Sequence, residues 1–176
     1  DLGLAMWIKK NIPNLPLHAS TQMTIHNLEG VLKLEKLGFS RVVISRETSI
    51  HEISDIHKKT STEIEAFVHG ALCISYSGQC LLSSMIGARS GNRGTCAQAC
   101  RLPYKLYDNN KLLDNGYLLS PRDLCSLDLI PELIKAGVTS FKIEGRMKTP
   151  EYVAIVTKFY RKYIDLSLSD KEFIID

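Results

Sequence analysis

The feature that most restricts the fold is an ordered succession in the middle of the chain. A buried strand, Arg41-Val42-Val43-Ile44-Ser45, is followed by helix-spaced Ile50, Ile53 and Ile56, and then by a second strand, Ile64 to His69. Strand, helix, strand in this order produces a parallel sheet, because a parallel neighbour is reached only through a crossover. The same rhythm starts earlier. Leu4 to Lys10 reads as a helix broken by Pro13 and Pro16, Leu17 to Thr21 as a short strand, and Thr24 to Leu37 as a helix with Ile25, Leu28, Val31, Leu32 and Leu34 on one face and Gly38 as its stop.

The periodicity ends at Gly70. A stretch rich in Gly, Ser, Cys and Arg runs to about Tyr104 and reads as an insertion. Alternation resumes with a strand at Tyr117 to Ser120 and a helical segment in which Pro131 is either internal or the start of a second helix. A strand from Ser140 to Glu144 and a helix from Pro150 to Ile164 follow. The expected segments are βα units over 1–72, a Cys-rich insertion over 73–116, further βα units over 117–166 and a weakly patterned tail over 167–176. Five strands fall short of the eight that close a barrel. The chain also starts without Met, and Asp1-Leu2-Gly3 reads like a strand end. The expectation is therefore an α/β fold, a partial TIM-like βα barrel whose amino-terminal units are missing; a complete open sheet is the alternative.

Of five cysteines, Cys73, Cys80, Cys96 and Cys100 lie within one short stretch, with Cys125 beyond it. A disulfide framework belongs to small secreted chains with poor cores. This chain is 44% hydrophobic over 176 residues, and it has neither a leader nor an apolar run long enough to span a bilayer. A cytoplasmic protein with reduced thiols gathered for a metal is the expectation. Gaps of six, fifteen and three residues between successive cysteines do not match zinc-ribbon spacing, which makes zinc the second choice. An iron–sulfur cluster accepts widely spaced thiolates, and Gly70, Gly78, Gly87, Gly91 and Gly94 would let a loop wrap it.

Two segments carry a resemblance: Glu65-Ala66-Phe67-Val68-His69-Gly70-Ala71-Leu72-Cys73 and Gly78-Gln79-Cys80-Leu81-Leu82-Ser83. Together they resemble the signature of peptidase family U32, the collagenase-like peptidases. The likeness continues through Asn92 to Arg101, Leu118 to Leu124 and Phe141 to Lys148. It implies a βα barrel and a four-iron, four-sulfur cluster held by four cysteines. Cys73, Cys80 and Cys96 take three places, while Cys100 and Cys125 compete for the fourth. It further implies oxygen-independent hydroxylation of a nucleobase in transfer or ribosomal RNA, with prephenate as the hydroxyl source. The alternatives it brings are a collagenase-like protease and a cluster-bearing subunit of a hetero-oligomer, as in hydroxylation of a quinone precursor.

Between Cys80 and Tyr107 the charged side chains are Arg89, Arg93, Arg101 and Lys105, without Asp or Glu and interleaved with tyrosines. That composition suits single-stranded RNA, although a basic loop covering an anionic cluster has the same appearance. At the expected strand ends, Arg46, Arg122, Lys142 and Arg146 are candidates to grip a dicarboxylate. Glu47, His69 and Glu144 are candidates for proton transfer. Neither a metalloprotease HExxH nor a GxSxG elbow is present.

Overall fold

The computed structural model describes residues 1–169 and 173–175; part of the expected 167–176 tail lies outside the described residues. The chain runs α1 (Leu2–Asn11), β1 (His18–Ala19), α2 (Leu28–Lys36), β2 (Arg41–Val43), α3 (Ile50–His57) and β3 (Glu63–Gly70), followed by α4 (Leu82–Gly87). Next come β4 (Tyr104–Asp108), β5 (Lys111–Gly116), β6 (Leu124–Cys125), α5 (Ile130–Lys135), β7 (Val138–Ile143) and α6 (Pro150–Ser167). This is a mixed α/β fold. β1, β2, β3 and β7 are parallel in that spatial order, and β3 is the hub, since it also pairs with β6 antiparallel. The sheet of the described residues is open, since β1, β6 and β7 each pair with a single strand, so no closed barrel forms among them.

Helix starts follow local chemistry. Asp1 caps α1 by accepting from the Leu4 N–H at 2.9 Å, so Asp1-Leu2-Gly3 begins a helix and does not end a strand. Ser49 and Glu52 form a reciprocal capping box on α3. Pro131 lies in the first turn of α5 and therefore starts that helix.

β3 shows how one strand makes two surfaces. Ile64, Ala66 and Val68 are buried and join the core with Val31 and Leu34 of α2, Ile53 and Ile56 of α3, Ile130 and Leu133 of α5 and Tyr160 and Tyr163 of α6. Each fully buried aliphatic side chain contributes about 1.5–3 kcal/mol. The alternate residue Glu65 lies on the opposite side, where it receives Lys142 at 2.9 Å and Arg41 at 3.6 Å.

Tyr117 to Ser120 is a turn, and the strand after the insertion is β6, antiparallel to β3. Within the insertion, and not anticipated from the sequence, β4 and β5 form a hairpin across Asn109-Asn110, both at positive φ. Every residue from Lys105 to Asn115 is exposed, so no burial imposes the apolar-polar alternation by which strands are recognised.

Candidate functional site

The parallel strands all point their carboxyl ends at one cavity of about 330 Å³. Ser20, Thr21 and Gln22 follow β1, Arg46 follows β2, Phe67 lies within β3 and Ala71 just beyond it, and Lys142, Glu144 and Arg146 lie on and after β7; all line the cavity. The Cys-rich loop covers it and contributes Cys73, Cys80, Cys96 and Cys100 to the lining.

Gly70 makes the passage from strand to loop. It has φ +100°, and a Cβ there would sit 2.3 Å from the Glu144 carbonyl oxygen, so a side chain meets both strain and collision. Beyond it the loop is held by polar bonds. Ser77, 1% exposed, accepts from the Arg46 N–H at 3.3 Å while its own N–H donates to Glu47 Oε1 at 3.0 Å. Gln79 Nε2 donates to Thr24 Oγ1 at 2.8 Å, and Ser83 Oγ accepts from the Ala97 N–H at 2.9 Å. Arg101 is the keystone. It donates to the Leu72 carbonyl at 3.0 Å, to Ser120 Oγ at 3.0 Å and to the Pro121 carbonyl, and pairs with Asp123 at 3.1 Å.

Cys73 remains accessible to solvent, yet the atoms around its thiol desolvate it and push its pKa up. Arg46 opposes that shift, whereas Cys80, Cys100 and Cys96 add to it. Cys125 is elsewhere. It faces His69 across the β3–β6 pair and contributes to raising the pKa of Tyr160, mainly a burial effect. Four soft thiols around one cavity are the donor type of an iron–sulfur cluster, whose separate iron corners do not require the sulfurs to converge on one ion. Among the described residues, no three His, Cys, Asp or Glu side chains converge closely enough to hold a single metal ion.

The three candidate proton-transfer groups are separated. Glu144 lines the cavity and accepts from the Arg146 N–H at 2.8 Å. Glu47 holds the loop through Ser77. His69 is turned towards α6, with Nε2 3.0 Å from the Tyr152 hydroxyl and Nδ1 3.4 Å from that of Tyr160. The pairing of β3 with β7 shifts register between Phe67 and His69. Burial lowers the His69 pKa; Asp123 works against the shift and Lys148 with it.

Of the candidate substrate-binding cations, Arg46, Arg101, Lys142 and Arg146 line the cavity. Arg89, Arg93 and Arg122 are exposed outside its lining, and Arg89 Nε donates to the Thr95 carbonyl at 3.0 Å. Sequence reasoning missed Phe67, whose ring lies 3.8 Å below the Arg46 guanidinium. The signal was its position two residues from Glu65, which puts it on the non-core side of β3.

Among the described residues, no helix is long and apolar enough to cross a membrane. No solved structure matches this chain. It is 44% identical over 172 residues to "tRNA hydroxylation protein P1" of Bacillus subtilis, covering 93% of this chain and 41% of that protein. It is 43% identical over 173 residues to "23S rRNA 5-hydroxycytidine C2501 synthase" of Escherichia coli, covering 97% of this chain and 26% of that protein. A protein named "Collagenase" in Porphyromonas gingivalis is 36% identical over 178 residues, with 92% of this chain and 42% of that protein covered. The chain thus spans less than half the length of each of these relatives. The model of peptidase family U32 matches residues 1–174, and the chain belongs to that family.

Proposed function

We propose that this chain is the cluster-binding part of an enzyme that hydroxylates a nucleobase in transfer or ribosomal RNA without oxygen. Cys73, Cys80, Cys96 and Cys100 would hold a four-iron, four-sulfur cluster. The observation that carries the reading is the placement of those four thiols around one cavity with Arg46, Lys142 and Arg146. The relatives named for RNA hydroxylation supply the substrate class. In this reading residues 1–72 and 117–166 are βα units of a TIM-like barrel completed in the longer protein, and 73–116 is its cluster-binding insertion.

When bound, the cluster supplies one-electron chemistry. The chain's own residues bind and orient. Lys142 and Arg146, beside Arg46, form a cationic wall for a dicarboxylate such as prephenate; Lys142 is shared with Glu65. Glu144 binds the Arg146 N–H through Oε1, and Oε2 is the atom that would take or give a proton. Tyr76, half-exposed in the lining, offers a ring for an unpaired base. Exposed Arg89, Arg93 and Arg122 would meet phosphates.

The peptidase reading is favoured by the relative named "Collagenase" and asks for a nucleophile beside a base. His69 instead shares its ring nitrogens with two tyrosines of α6. The deciding experiment is anaerobic purification with iron and acid-labile sulfide analysis, followed by mass analysis of RNA nucleosides from cells lacking and regaining the full-length gene. Loaded cluster and a restored hydroxylated nucleoside support the proposal. Metal-free protein that cleaves peptides would replace it with the hydrolase.

A further inference from the structure

The cations of the cavity differ in what neutralises them. Lys142 is paired with Glu65 at 2.9 Å and Arg101 with Asp123 at 3.1 Å. Among the described residues neither Arg46 nor Arg146 is paired with a carboxylate, and of these two only Arg46 has a buried nitrogen, Nε, without a hydrogen bond. A partly desolvated guanidinium left in that state is costly, and an anionic group in the cavity would offset that cost.

The guanidinium is also fixed in place. Its carbon lies 3.8 Å over the Phe67 ring, its backbone N–H is held by Ser77, and Nη1 is directed at Cys73 Sγ, 4.0 Å away. Stacking on the ring leaves the edge of the guanidinium, where its N–H groups are, facing outward. That edge meets the first thiol of the four.

We propose that Arg46, seated on Phe67, is the fixed counter-charge of the four-thiol cavity and sets the reduction potential of the group those thiols hold. This inference rests on the cluster reading above. One-electron reduction, with dithionite or an electrode as the donor, adds one negative charge to the thiolate-bound cluster and moves no atoms. A cation held beside Cys73 favours that reduced form and raises the potential. Arg46 is therefore a positioning and tuning residue that acts through Cys73.

The test is a reductive titration, followed by electron paramagnetic resonance, of anaerobically reconstituted wild type, Arg46→Gln, Arg46→Lys and Lys58→Gln. Lys58 is an exposed residue on α3's far end whose loss removes the same charge. Arg46→Gln with full iron should titrate at a lower potential, Arg46→Lys near wild type and Lys58→Gln at wild type. A fully loaded Arg46→Gln at the wild-type potential overturns the inference. If Arg46→Gln takes up no iron, Arg46→Lys decides: loading with a wild-type potential supports the charge role. Loss of iron from a folded Arg46→Lys shows that packing on Phe67 was what mattered, and overturns it. A wild type that binds no iron and sulfide removes the cluster reading and this inference together, whereas a loaded wild type with an unshifted Arg46→Gln removes only the inference.

Discussion

The sheet and the thiol loop meet at Gly70 but are held together by different forces. β2 and β3 sink Val42, Ile64, Ala66 and Val68 into a core shared with five helices, and that burial needs no ligand. The loop from Cys73 to Arg101 buries few apolar side chains. It depends on a handful of polar bonds through Ser77, Ser83, Gln79 and Arg101. A surface held in this way can be rebuilt around a bound group without disturbing the sheet beneath it, and it also loses definition easily when that group is absent.

The comparison breaks most visibly at the thiols. Cys73→Ala and Cys96→Ala should each abolish iron binding while leaving the thermal unfolding of the metal-free protein almost unchanged. Normal iron content in either variant, or a large fall in its unfolding temperature, would deny the separation. The opposite perturbation is Ile64→Ala, which opens the core and should cost about 2–5 kcal/mol in urea unfolding. Protein that remains folded should still load iron. A loss of under about 0.5 kcal/mol would mean that β3 is not the hub.

Arg101→Ala tests the seam between the regions. It unties Leu72, Ser120, Pro121 and Asp123 together and should cost about 1–3 kcal/mol. Faster amide exchange should be confined to residues around Cys73, Cys100 and Ser120. Exchange rising equally in β2 would contradict a local role.

The smallest effect is a pH dependence within the sheet. Burial raises the Glu65 pKa, but Lys142, Ser140 and Arg41 outweigh it and hold the carboxyl below its ordinary value of 4.5. A depressed carboxyl contributes stability above the unfolded value, and that stability is lost as pH falls through the folded one. Wild type should therefore lose more stability than Glu65→Gln on acidification from pH 5 downward, as read by urea midpoints. Parallel curves for the two proteins would remove Glu65 from the account.

Much was readable because it is local. Gly38 follows α2 as its stop and Pro150 opens α6 in its first turn. The β4–β5 hairpin was not readable, because exposed Leu106, Leu112 and Leu113 occupy a surface where burial sets no pattern. Nor was the direction of His69, whose ring nitrogens meet Tyr152 and Tyr160 of α6, more than eighty residues away in the chain.

By itself the sequence determined the parallel α/β order, the family and the gathering of four thiols in one short stretch, since each is written in neighbouring residues. Only the tertiary structure decided that Cys100 joins Cys73, Cys80 and Cys96 in the cavity lining while Cys125 pairs with His69. It also decided that Arg46 lies on Phe67 and that Lys142 answers Glu65. These residues come from separate strands, and their meeting depends on strand register, which is fixed when the whole sheet packs against its helices.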